Sequence, residues 1–157
     1  MVFISNEDFN VITLNSINLS TDDHYIADEP NEVIQSIYVA NCIVICLTKK
    51  NENGIFNGMY HLSGYTPWSQ ISDPDAFDDE YTVDDFIDEF AEMYGHPDIV
   101  YIAGGNLNTA KDLFSMTYCL LENKFEESPI NTTFYPLRYE AHIAITSFGT
   151  IVLLPSE

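Results

Sequence analysis

The stretch Glu32–Leu47, EVIQSIYVANCIVICL, decides how the chain is read. It is too long and too rich in β-branched residues for one strand, and Ala40-Asn41 is the natural break, so it predicts two strands joined by a short bend. Lys49-Lys50-Asn51-Glu52-Asn53-Gly54 follows with hairpin-turn chemistry, and Ile55–His61 returns as the next strand. Upstream, Val11–Leu14 is a short apolar run, and the polar stretch Asn15–Asn31, with Thr21-Asp22-Asp23-His24 and Pro30, predicts mostly loop.

Downstream of the hairpin the period changes. Thr82 is a candidate N-cap, and Val83, Phe86, Ile87, Phe90 and Met93 recur on one face of a helix that ends near Gly95. Ile99–Ala103 reads as a buried strand running into Gly104-Gly105. A second helix is predicted over Thr109–Asn123, with Leu113, Met116, Thr117 and Leu120 inward. The runs Thr132–Leu137, Ala141–Thr146 and Thr150–Leu154, the last two joined at Phe148-Gly149, predict a terminal antiparallel meander. This order gives an α+β fold, a layered sandwich of mixed, largely antiparallel β-sheets with two main helices, the acidic one outermost. Residues 1–157 read as a single domain with an acidic insertion and helix at about 72–94.

Composition narrows the function classes. In 157 residues, 46% are hydrophobic, enough for a packed core, while 25 Asp and Glu face only Lys49, Lys50, Lys111, Lys124 and Arg138, for a net charge of -20. Five scattered bases cannot neutralise a phosphate backbone or hold an anionic membrane, so neither nucleic acid nor membrane is an expected partner. The start MVFISNEDFN has no basic, apolar leader pattern, and no run approaches the roughly 18 apolar residues of a membrane span, which points to the cytosol. Cys42, Cys46 and Cys119 are too few and odd in number for a disulfide framework, which suits free thiols. Without a leader, the glycosylation patterns Asn18-Leu19-Ser20 and Asn131-Thr132-Thr133 read as accidental.

A cysteine hydrolase needs a thiol, an imidazole to take and return its proton, and a polar group to orient the ring. Cys42 sits at the break between two strands, where a turn can present a thiol and aim the N–H groups of Asn41 and Cys42 at a developing oxyanion. His61, at the end of the returning strand, lies across from it if the hairpin turns near Asn51–Gly54, and Ser36 on the preceding strand can supply the orienting hydroxyl. A cysteine inside an apolar run also fits a small core residue.

The segments that carry these residues resemble the chemoreceptor glutamine deamidase family, CheD. The resemblance rests on Ala40-Asn41-Cys42-Ile43-Val44-Ile45-Cys46-Leu47, on Gly58-Met59-Tyr60-His61 with Pro67 beyond, and on Tyr101-Ile102-Ala103-Gly104-Gly105 before a helix. It covers roughly residues 30 to 125 and extends to the wider group of bacterial deamidase toxins with a Cys–His pair. It implies Cys42 as nucleophile, His61 as general base and acid, Ser36 in a place usually held by Thr, and Cys46 as a core thiol. The chain departs from the family pattern at Asn41 (Ser or Gly), at Asn57-Gly58 (Gly-Gly) and between Pro129 and Ala141, where the expected glycines are absent. The implied reaction converts a glutamine side chain of a partner protein to glutamate and needs no cofactor or metal. The setting is chemotaxis, or an effector delivered into a target cell's cytosol.

Ser72–Glu92 contains ten carboxylates (Asp73, Asp75, Asp78, Asp79, Glu80, Asp84, Asp85, Asp88, Glu89, Glu92) and no base. Asp73–Asp85 lacks the Gly and spaced Glu of a calcium loop, so a solvated face is the simpler reading. His24, His96 and His142 show no zinc-ligand spacing with the cysteines, and Gly104-Gly105 lacks a phosphate-loop pattern. The competing function is a non-catalytic acidic protein that occupies a basic surface of a partner, as an inhibitor or nucleic-acid mimic. On either reading Asp78, Asp79, Asp84, Asp85 and Asp88 are the candidate docking residues.

Overall fold

A computed structural model of the chain describes residues 2–63, 83–104, 107–134 and 140–155. The elements in order are β1 (Val2–Phe3), α1 (Asn6–Ile12), β2 (Ile17–Leu19), β3 (His24–Ile26), β4 (Ile34–Val39), β5 (Ile43–Asn51), β6 (Gly54–Leu62), α2 (Val83–Tyr94), β7 (Ile99–Gly104), α3 (Leu107–Lys124), β8 (Ile130–Phe134), β9 (Ala141–Ile145) and β10 (Ile151–Pro155). They form two five-stranded sheets, ordered β1-β10-β9-β4-β2 and β3-β6-β5-β7-β8. Five of the strand pairs are antiparallel and three, β1 with β10, β2 with β4 and β7 with β8, are parallel. The fold is α+β, a layered sandwich of mixed sheets. No helix among the described residues is long and apolar enough to cross a membrane.

Strand β5 explains the layering. Its first six residues, Ile43–Thr48, are all buried, because each face of a central strand meets a different layer. Ile43, Ile45 and Leu47 join Tyr60, Leu62, Ile87, Phe90, Leu113 and Leu121 in a core beneath α2 and α3. Val44 and Cys46 join Met59, Ile34, Val39, Ile143, Ile145 and Leu153 in a second core between the sheets. On the outer face of the first sheet, Ala144 and Val152 are covered by Phe9 of α1. Asn57 pins the two sheets together: its Nδ2 donates to the carbonyls of Glu32 and Thr146, both at 2.9 Å.

The break at Ala40-Asn41 falls where the chain leaves β4 in one sheet and enters β5 in the other. Elsewhere the structure departs from the pattern reading. Val11 belongs to α1, capped by Ser5, whose Oγ accepts from the Asp8 N–H. The stretch read as loop carries two three-residue strands, too short to show a period. On α2 the buried residues are Ile87, Phe90, Ala91 and Tyr94, with Met93 half-exposed, so the apolar face is rotated from the expected one. On α3 Leu121 is buried and Met116 faces outward. There is no three-strand terminal meander: β9 and β10 form a hairpin in one sheet, while β8 lies parallel to β7 in the other. The Thr82 cap, the Gly105 half of the glycine pair and the acidic residues 73–80 lie outside the described residues.

Candidate active site

The crossover from β4 to β5 positions the sulfur. Register pairs Val44 with His61, and side chains alternate along both strands, so Val44, Cys46, Met59 and His61 face the space between the sheets. Cys42, one residue before the paired ladder, packs against that same core and is partly exposed. Cys42 and His61 thus border the same space between the sheets, Cys42 two residues before the Val44 that pairs with His61. Just upstream the pairing of β4 with β9 is interrupted by a bulge between Ser36 and Val39, and Tyr38 inside it has φ 57°. A left-handed aromatic residue costs about 1–3 kcal/mol. Tyr38 is held there by its N–H donating to His142 Nδ1 at 3.1 Å and by ring contact with that imidazole, centroids 4.9 Å apart. The bulge turns β4 off its sheet toward the crossover, and Asn41, exposed on that bend, has no partner for its N–H among the described residues.

Ser36 reaches His61 across the sandwich. Its Oγ lies 2.5 Å from His61 Nδ1 and 2.8 Å from the Leu19 carbonyl, and both side chains are buried. A hydroxyl has one proton and a carbonyl can only accept, so Ser36 donates to Leu19 and accepts from His61 Nδ1–H. That fixes the ring as the neutral Nδ1–H tautomer and leaves the lone pair on Nε2, which is buried with no hydrogen-bond partner among the described residues. Burial pulls His61 down to about 4, against the opposing pull of Asp22 and Asp23. The backbone is clamped too: the Asp22 N–H donates to His61 O at 2.7 Å, and the His61 N–H donates to Asp23 O at 3.0 Å.

The structure brings Ser36 and His61 into contact and places Cys42 at the border of the same inter-sheet core. With burial holding His61 neutral and the lone pair on Nε2, the imidazole can act as a general base. Cys46 is a different thiol, sealed in the core with burial pushing it well above its ordinary value. Asp84, Asp85 and Asp88 stand exposed on α2, with Asp88 paired to Lys124 at 2.9 Å. Asp78 and Asp79 lie outside the described residues. Among the described residues no three His, Cys, Asp or Glu side chains converge as a metal site requires. What pattern reading missed is main chain: the Leu19 carbonyl and the Asp22–Asp23 clamp carry no residue-type signature.

No family model matches the chain, and no curated protein matches it.

Proposed function

We propose that the protein is a cysteine-dependent amidohydrolase that converts a glutamine side chain of a partner protein to glutamate, in the manner of the CheD family. The observation that carries this reading is the Ser36–His61 hydrogen bond, which leaves the buried Nε2 without a partner among the described residues, while Cys42 packs on the core between the same two sheets. In the proposed reaction, substrate binding brings the carboxamide carbon to Cys42 Sγ. Nε2 accepts the thiol proton as the S–C bond forms, and the N–H groups of Asn41 and Cys42 face the oxyanion. The imidazolium then protonates the departing ammonia and, neutral again, takes a proton from the water that opens the thioester. Apart from water, the reaction consumes nothing beyond the glutamine.

Intact and peptide mass spectrometry of candidate partners tests it. A glutamine should gain about 1 Da with the native chain and gain nothing with Cys42→Ala, a partly buried position at the edge of the core where circular dichroism checks that the fold is kept. Ser36→Ala, which frees the ring to adopt either tautomer, should slow the reaction at least about tenfold. Undiminished conversion by Cys42→Ala would overturn the assignment. A second reading, a non-catalytic acidic protein docked on a basic partner, draws on the exposed carboxylates of α2. Its signature is the reverse, with function lost when Asp84, Asp85 and Asp88 are neutralised and kept in Cys42→Ala.

A further inference from the structure

On the opposite face of β6 from His61, at the edge of the sheet, lies a cavity of about 160 Å³ lined by Asp22, His24, Tyr60, Phe86, Glu89 and Phe90. Cavities near 150 Å³ admit one benzene-sized group. Three elements meet around this one. The turn before β3 brings Asp22, β3 and β6 bring His24 and Tyr60, and α2 presents Phe86, Glu89 and Phe90 at i, i+3 and i+4 along one stripe. The rings enclose the space from several directions. Tyr60 stands 5.6 Å from Phe90 at 86° and 6.4 Å from Phe86 at 68°, while His24 stacks on Tyr60 at 5.6 Å and meets Phe90 edge-on at 6.0 Å.

The rim is acidic. Among the described residues neither Asp22 nor Glu89 has an ion-pair partner, and no Lys or Arg lines the cavity. Asp22 accepts from the Ser63 N–H at 3.1 Å with one oxygen. The Tyr60 hydroxyl makes no hydrogen bond among the described residues. Burial first, and then the carboxylates of Asp22, Glu89 and Asp23, push its phenol up to about 12. Aromatic faces beside two carboxylates form an environment that attracts a cation by ring quadrupole and by charge together.

We propose that this cavity receives the guanidinium of an arginine presented by a basic segment of a protein partner. Two carboxylates on separate elements suit the forked donors of a guanidinium better than a compact ammonium, and a weakly hydrated planar cation gives up water to aromatic walls more readily. The exposed Glu92, at i+3 from Glu89 on the same helix, continues the acidic surface, so a basic chain has a path on which to lie.

The test is a titration followed by amide and aromatic NMR at about pH 8, where an ordinary imidazole is neutral. The probe is a blocked glycine–arginine–glycine peptide, beside its citrulline and lysine counterparts and free arginine. The arginine peptide should shift resonances of residues 22–24, 60 and 86–90 with an affinity in the millimolar range that weakens with salt. Glu89→Gln, an exposed substitution that leaves the helix intact, should weaken it about fivefold. The Cys42→Ala chain should bind as the native one does, so the result is independent of the proposed reaction. Equal shifts from citrulline, lysine binding as tightly as arginine, free arginine binding tighter than the peptide, or no localised shift would each overturn the proposal.

Discussion

His61 is buried and neutral, and that has a sign for stability. Its ordinary value is 6.5 and its folded value about 4, so between these the unfolded chain binds a proton that the folded chain refuses. Stability from this group is fully present above about 6.5 and falls as the pH drops toward 4, by about 3 kcal/mol in all. Urea midpoints followed across that window should decline for the native chain and decline less for His61→Gln. The ring proton should titrate near 4 by NMR, and a midpoint near 6.5 would contradict a sealed imidazole. At this scale the Ser36–His61 pairing was legible in residue types and their spacing, because a ring and a hydroxyl announce their chemistry. The tautomer was not. It depends on the Leu19 carbonyl, brought seventeen positions along the chain to Ser36 by the pairing of β2 with β4.

Among the elements, β6 and α2 show how one motif can serve two ends. His61 faces the space between the sheets, while Gly58, three residues earlier, lies under the helix: a Cβ there would stand 2.9 Å from Tyr94 Cδ2. Tyr94 cannot swing freely away, because its hydroxyl donates to the Phe56 carbonyl at 2.6 Å and Lys49 Nζ sits over its ring, 4.6 Å from the centroid, while donating to its carbonyl. Gly58→Ala should therefore destabilise the fold by about 1–3 kcal/mol, read as a lower urea midpoint. Tyr94→Phe combined with Gly58→Ala should cost less than the separate losses added together, since the ring is then untied. A neutral Gly58→Ala would mean that the helix is not so closely seated. Long periodic elements were legible before the structure: β5, β6, α2 and α3 fall close to where pattern places them. Their phase was less so, because Met93 and Met116 fit an apolar stripe but the layer beneath selects Ala91, Tyr94 and Leu121. Strand β8 was misplaced because its choice of sheet depends on the distant β7, not on its own residues.

Across the whole molecule, 25 acidic residues oppose five basic ones. Compaction brings these charges together, so the folded state bears more self-repulsion than the unfolded chain. Raising ionic strength from about 0.01 to about 0.3 M shortens the screening length severalfold and should raise the melting temperature by about 2–4 °C for each kcal/mol recovered. Calorimetry across a sodium chloride series checks this; a flat or falling melting temperature would show that the carboxylates are spaced well enough not to matter. The short edge strands β1, β2 and β3 carry two or three residues each, giving little template for a foreign strand, and the uniform charge works in the same direction.

Ser36 and His61 belong to different sheets. Their hydrogen bond is thus a catch between two halves of the molecule, and the key that opens it is a hydrogen ion: once the halves part, the ring regains its everyday affinity for that ion and holds them open. Mild acid drives a wedge into the fold at this seam, so parting of the two sheets here should precede wholesale unravelling.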